Sequence, residues 1–272
     1  MEHALLPVQP FQREDLKRIG YLQPVGWPDI IPEFAYYVKA PFCHPVKVQM
    51  DQYIIGLGVS IVFGDTAWLA HIIVDSGHRK QGIGSRIVDH LLNQLDELSV
   101  SSCLLIATPD GAPIYKKAGF EVVTEYTFLQ RRGRWPEHPL SPQIQPYSPQ
   151  YQSNLMSLDM HITGEDRSRL LNEFISNAWV YMSDNGPEGY YLPALGEGTI
   201  ITANFQAGME LTKIRNTQSD KTVLPSDNER GIGFLKENGF ETLPTRGTRM
   251  VRGQPVHWKP ENIFSRMGGN FG

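Results

Sequence analysis

The stretch from Trp68 to Ser85 constrains the fold more than any other part of the chain. Trp68 to Val74 is a nearly continuous apolar run, the pattern of a central strand covered on both faces. A short basic turn follows, with glycines at positions 82 and 84, and from Ser85 the period changes. Ile87, Leu91, Leu95 and Leu98 fall at helical spacing, Val88 and Leu92 widen the stripe, and Asp89, Asn93 and Asp96 can face water. Strand, glycine turn and amphipathic helix put several amide N–H groups at a helix N-terminus. Those amides and the helix dipole favour an anion, and glycines let a phosphate approach the backbone closely. Arg79 and Lys80 add positive charge at the same end. Read alone, the segment Arg79, Lys80, Gln81, Gly82, Ile83, Gly84, Ser85 is either an anion-binding loop or a tight backbone bend.

The flanking segments extend the α/β pattern. Tyr53, Ile55, Leu57, Val59, Ile61 and Phe63 alternate with smaller or polar residues, as a strand with one buried face requires, and Gly64-Asp65 turns the chain. Cys103 to Ala107 reads as a buried strand and Ala112 to Lys117 as a short helix closed by Gly119. Val122, Thr124, Tyr126 and Phe128 read as a last alternating strand.

Residues 134–149 contain five prolines and read as a connection between two halves. The halves echo each other. Val8-Gln9-Pro10-Phe11 is matched by Ile144-Gln145-Pro146-Tyr147, and Gly111 to Phe120 by Gly231 to Phe240, which points to a weak tandem repeat of one fold. In the second half, Thr163 to Asp166 is expected to start a helix carrying Leu170, Leu171, Phe174, Ile175 and Ala178. Gly196 to Ala203 reads as a strand and Ala207 to Ile214 as a helix. Only Asn204-Phe205-Gln206 separates them, so the basic glycine loop has no counterpart there.

Composition narrows the functional classes. A formal charge of −4 and a pI near 6.1 give no chain-wide basic field, so neither nucleic acid nor an anionic membrane surface is expected as a partner. The first seven residues lack a charged n-region and a long apolar segment, and no later stretch has the length of a membrane span, so a soluble cytoplasmic protein is expected. Cys43 and Cys103, read as lying in a loop and a buried strand, are expected to be free thiols outside any metal-ligand spacing; no metal is expected.

Spacing excludes two common phosphate loops. The mononucleotide pattern Gly-x-x-x-x-Gly-Lys-Ser/Thr and the dinucleotide pattern Gly-x-Gly-x-x-Gly are both absent. The segment resembles instead the pyrophosphate loop of the GNAT N-acetyltransferases, in which Arg or Gln, two residues, Gly, one residue and Gly or Ala precede a long helix. Arg79, Gly82 and Gly84 fill those places, Val74 ends the preceding strand, and Gly119-Phe120 closes the following short helix. The resemblance implies acetyl-CoA as cofactor. The main chain of Ile72, Ile73 and Val74 would pair with the pantetheine arm, and Arg79, Lys80, Gln81, Gly82, Ile83, Gly84 and Ser85 would hold the pyrophosphate. It also implies direct acetyl transfer to the amine of a small molecule or amino acid.

By the same resemblance Tyr115 stands where many members carry the tyrosine that protonates the departing thiolate; the alternative is a core tyrosine on a short helix. Leu235 stands at the aligned place in the second half. The position most often acidic in the family is Trp68 here, which puts a protein base in doubt. His71 on the same strand could serve directly or through water, or could be satisfied inside the sheet. Cys43-His44, read as a Pro-bounded loop, could line a pocket.

Asp159, Gly164 to Arg167, Gly239-Phe240 and Arg249 to Gly253 resemble the C-terminal domain of a bacterial tandem subgroup of the family. The expected architecture is therefore α/β (α+β), two tandem GNAT-like domains, each a mixed twisted sheet flanked by helices. A catalytic domain spans residues 1–133, a connection 134–149, and a degenerate domain walling the acceptor site 150–272. Trp179, Tyr181, Tyr190 and Tyr191 could line that site or pack a core. Asp166 and Arg167 could equally be a helix cap and solvated charge. A noncatalytic acyl-CoA-binding sensor is the alternative function. The sequence leaves the oligomeric state open, a homodimer included.

Overall fold

The computed structural model describes residues 6–135 and 138–272. The reading of residues 1–5, and of Pro136 and Glu137 in the connection, lies outside the described residues. Contacts divide the chain into two units. One holds the residues up to Leu105 with Asp110–Glu121 and Val251–Gln254; the other holds Ile106–Pro109, Val122–Met250 and Pro255–Gly272.

The first unit carries β1 (Val8–Pro10), α1 (Ile30–Tyr37), β2 (Cys43–Met50), β3 (Tyr53–Phe63), β4 (Thr66–Val74), α2 (Ile83–Glu97), β5 (Ser102–Ala107) and α3 (Ala112–Lys117). Strands β1 to β5 are neighbours in chain order. The first four are antiparallel and β4–β5 is parallel, a pairing that needs a crossover connection such as the one α2 supplies. The apolar stripe on α2 is why the helix lies on the sheet. Ile87, Val88, Leu91 and Leu95 are fully buried, each worth about 1.5–3 kcal/mol relative to exposure. Gly58 makes the close approach possible: a Cβ there would sit 2.5 Å from Ile87 Cγ2. Leu98, expected on that stripe, is 53% exposed because α2 ends at Glu97.

The second unit carries β6 (Glu121–Arg131), β7 (Ile144–Pro146), α4 (Gln152–Thr163), α5 (Ser168–Phe174), β8 (Trp179–Ser183) and β9 (Gly186–Leu192). It continues with β10 (Thr199–Thr202), α6 (Phe205–Gln218), β11 (Lys221–Pro225), α7 (Glu229–Glu237), β12 (Phe240–Gly253) and β13 (Ile263–Ser265). Strands β7, β8, β9 and β10 form an antiparallel meander followed by α6, the same order as β1 to β4 followed by α2. The short motifs Val8-Gln9-Pro10 and Ile144-Gln145-Pro146 thus open the two meanders as equivalent strands. On the far side of β10 stands β13. Antiparallel β6 and β11 pair from Gln130↔Lys221 to Tyr126↔Pro225, with β12 also beside β6. The last residues of β12 belong to the first unit, where Ser102 Oγ donates to the Gln254 carbonyl at 2.8 Å.

Several local expectations are corrected. Thr163 does not start a helix. It ends α4, whose C-cap Gly164 has φ 74°, a left-handed conformation that suits glycine. Asp166 is not the cap of the next helix: the N-cap of α5 is Arg167, which is buried rather than solvated, and Asp166 stands one residue before it with its Oδ1 accepting from Ser168 N at 3.2 Å. Cys43 and His44 begin strand β2 instead of lying in a loop, and both cysteines are buried thiols outside any disulfide. On β6 the outermost alternation is not buried: Val122 faces solvent, while Tyr126 and Leu129 are inside.

The aromatic residues of the second half divide by role. Tyr181 and Tyr191 pack with Ile144, Ile200, Leu211 and Phe264, with Trp179 against the same cluster. Tyr190 belongs to a buried ionic network, in which Arg167 reaches Asp159 through Nε at 3.1 Å and NH2 at 2.6 Å. The Tyr190 hydroxyl donates to Asp159 Oδ1, and Arg167 NH1 donates to the Phe271 carbonyl at 3.3 Å. Opposite charge beside the Arg167 guanidinium raises its pKa, although burial opposes that shift and is the larger single influence.

Candidate active site

The loop between β4 and α2 is built from unusual backbone. Asp75 Oδ1 accepts Gly77 N at 3.0 Å and meets His78 Nδ1 at 2.6 Å, closing a one-turn helix over Ser76–His78. The His78 hydrogen bond holds the Asp75 carboxyl below its usual range. Lys80 and Gly82 then adopt φ 60° and 82°, and α2 begins at Ile83. Arg79 Nε donates back to the Val74 carbonyl at 3.2 Å. Among the described residues no side chain caps the N-terminus of α2, and the first helical bond is Arg86 N to Gly82 O at 3.1 Å. The amides of the first turn therefore have no acceptor within the helix. At the corresponding place in the second unit, Asn204 caps α6 by accepting from Ala207 N at 3.0 Å. One helix end is open to an anion and the other is closed by its own chain.

Strand β4 supplies an open edge beside this loop. Its parallel pairing with β5 runs only from Thr66↔Ser102 to Trp68↔Leu104, so the β4 main chain beyond Trp68 continues without that neighbour. On the other side, pairing with β3 jumps from Leu57↔Ile73 to Val59↔Ala70. His71 and Ile72 thus form a bulge opposite Gly58, and His71 adopts φ 49°. Helix α3 closes the group: a Cβ on Gly84 would touch Val74 Cγ2 and Ile114 Cδ1, each at 3.6 Å. Val74, the start of α2 and the helix bearing Tyr115 therefore meet. An acyl-CoA pyrophosphate and pantetheine fit this chemistry, because glycines, uncapped amides and an unpaired strand edge lie together. Among the described residues nothing stands within 4 Å of where a Gly82 side chain would begin.

Comparison with known proteins agrees. The acetyltransferase (GNAT) domain family model matches residues 44–122. That segment is a GNAT acetyltransferase domain. The uncharacterized N-acetyltransferase YitH of Bacillus subtilis is 30% identical over 116 residues, which span 42% of this chain and 40% of YitH. In fold, a candidate acetyltransferase from Pyrococcus horikoshii aligns over 98% of this chain and 96% of its own, with a TM-score of 0.82 at 17% identity. A GCN5-related N-acetyltransferase from Anabaena variabilis aligns over 91% and 72%, with a TM-score of 0.55 at 14% identity. The α/β architecture is thus shared along nearly the whole chain.

Within the GNAT domain the two candidate catalytic side chains have different surroundings. Tyr115 is half-buried on α3 with its ring edge-on to Phe120 at 6.0 Å, and among the described residues its hydroxyl makes no hydrogen bond. Burial pushes the Tyr115 pKa up, so the group keeps its proton. His71 points into an aromatic cluster formed by Trp27, Phe34 and Tyr37, with ring centroids 5.6–5.9 Å away. Its Nδ1 lies 3.0 Å from the Tyr37 hydroxyl. Burial lowers the imidazole pKa to about 4 and keeps the ring neutral. Among the described residues no hydrogen bond or ring contact joins His71 to Tyr115. Trp68 is wholly buried and offers no base.

Sequence reasoning missed α1. Its signal was present: Asp29, whose side chain accepts from Ile31 N at 2.9 Å, precedes an apolar run with Glu33 and Tyr37 one helical turn apart.

Proposed function

We propose that the chain is an N-acetyltransferase that moves acetyl from acetyl-CoA to the amine of a small molecule or amino acid by direct transfer. The observation that carries this is the uncapped glycine start of α2 beside the open edge of β4. Bound acetyl-CoA supplies the acetyl group as an activated thioester. The Arg79 to Ser85 loop holds the pyrophosphate through its amides and cations, and the main chain of Ile72 to Val74 aligns the pantetheine arm. Tyr115, held protonated by burial, gives its proton to the departing sulfur. His71 takes the proton of the attacking amine. Residues 1–133 are the catalytic copy, and 150–272 its degenerate copy, supported by the repeated meander and by the Asn204 cap. Cytoplasmic placement belongs to this reading; no helix among the described residues is long and apolar enough to cross a membrane.

At acetyl-CoA a hundred times its Kd, the chain should gain about 2.7 kcal/mol in thermal denaturation. An amine panel should also release free thiol. No shift at millimolar acetyl-CoA sinks the reading. The burial of Trp68 at the usual base position favours one alternative, a noncatalytic acyl-CoA sensor; binding without thiol release from any amine would select it. For Tyr115→Phe, steady-state kinetics should show kcat reduced by about 10²–10⁴ with KM for acetyl-CoA unchanged. An unchanged kcat would return Tyr115 to a packing role.

A further inference from the structure

Two carboxylate- and hydroxyl-bearing residues on α1 converge on the imidazole proposed above as base. The Tyr37 hydroxyl lies 3.4 Å from Glu33 Oε2 and 3.0 Å from His71 Nδ1. A hydroxyl has one proton to give, and a carboxylate can only accept. With the Tyr37 proton directed to Glu33, the Tyr37 oxygen is left as an acceptor, so the Nδ1 that faces it must carry hydrogen. Two further facts hold the ring in place. The strand bulge gives His71 φ 49°, and Trp27, Phe34 and Tyr37 pack against the ring. Among the described residues Nε2 has no hydrogen-bond partner.

We propose that Glu33 and Tyr37 are positioning residues that hold neutral His71 as its Nδ1–H tautomer, leaving the Nε2 lone pair to accept the proton of the acceptor amine. This rests on the acetyltransferase reading above. As the new C–N bond forms, one proton passes from the amine nitrogen to Nε2. As the C–S bond breaks, Tyr115 gives its hydroxyl proton to the sulfur. Exchange with solvent then removes the proton from His71 and restores the one on Tyr115. During the step the Glu33 charge, relayed through the Tyr37 hydroxyl, stabilises the imidazolium. The low pKa of the buried ring keeps Nε2 unprotonated and ready through the neutral range.

The test reads the proton directly. Nitrogen-15 spectra of His71 in the native protein at neutral pH should show the Nδ1–H tautomer. In Glu33→Ala the Tyr37 hydroxyl loses the carboxylate it donates to and can donate to Nδ1, so the Nε2–H tautomer should gain population. Tyr37→Phe removes the acceptor, and the fixed Nδ1–H signature should be lost. Both variants should keep the acetyl-CoA thermal shift and the KM for acetyl-CoA. Their kcat should fall by up to the roughly 10²–10⁴-fold that a general base contributes. An Nε2–H ring in the native protein overturns the proposal, as does an unchanged kcat in a variant whose tautomer has switched. If the native tautomer is Nδ1–H but no amine is ever acetylated, the transferase reading and the base role fall together, while the measured proton placement stands.

Discussion

Asp159→Ala should destabilise the second unit by about 3–5 kcal/mol, the usual consequence of removing one partner of a buried ion pair. Asp159 and Arg167 are 1% and 3% exposed, and the carboxylate accepts two guanidinium nitrogens and the Tyr190 hydroxyl. Alanine leaves the Arg167 charge buried without its closest counter-charge, although NH1 still donates to the Phe271 carbonyl, and it removes the Asp159 acceptor of a wholly buried tyrosine. Desolvation without compensation is the source of the loss. Urea or thermal unfolding, followed by a probe in the second unit, measures it. Asp166→Ala is the internal control. That carboxylate is exposed and accepts the Ser168 N–H, so its removal should cost about 0.5–1.5 kcal/mol, the net worth of one hydrogen bond. Equal effects at the two positions would overturn the buried-pair account.

Gly82→Glu should abolish acetyl-CoA stabilisation while leaving the chain folded. Gly82 has φ 82°, which costs a residue bearing a Cβ about 1–2 kcal/mol, and the space around it is open. A glutamate there places its own carboxylate at the amides that would receive a phosphate, much as Asn204 occupies the equivalent helix end in the second unit. Gly82→Ala carries the same backbone strain without the charge. The alanine variant should keep much of the thermal shift and the glutamate variant none, a difference of at least about a hundredfold in affinity, or roughly 2.7 kcal/mol. If the glutamate variant keeps its shift, the cofactor binds elsewhere.

The glycine loop was the most legible part of the candidate site because its signals are local. Strand period, glycine spacing and helical period all lie between Trp68 and Leu95, and the observed β4 and α2 follow them closely. Helix α3 was legible for the same reason, through its terminating Gly119 at φ 87°. The second half was read less well. Thr163 to Asp166 carries residues that can either start or end a helix, and what decided between them was the left-handed Gly164. Arg167 looked like solvated charge because its partner lies eight residues upstream, with Tyr190 on another strand completing the network.

From sequence alone came the α/β class, the repeat of an opening strand motif, and one basic glycine loop in a chain with two related halves. Each is written in spacings of a few residues, which the regular geometry of helices and strands converts directly into faces and ends. The surroundings of His71 were decided only in three dimensions. The bulge that turns His71 depends on the register of β3 against β4, and its partner Tyr37 is 34 residues away on a helix. Burial among three aromatic rings then lowered a pKa that composition would have left at its ordinary value. Register, burial and long-range pairing depend on the whole packing of the unit, so no local pattern encodes them.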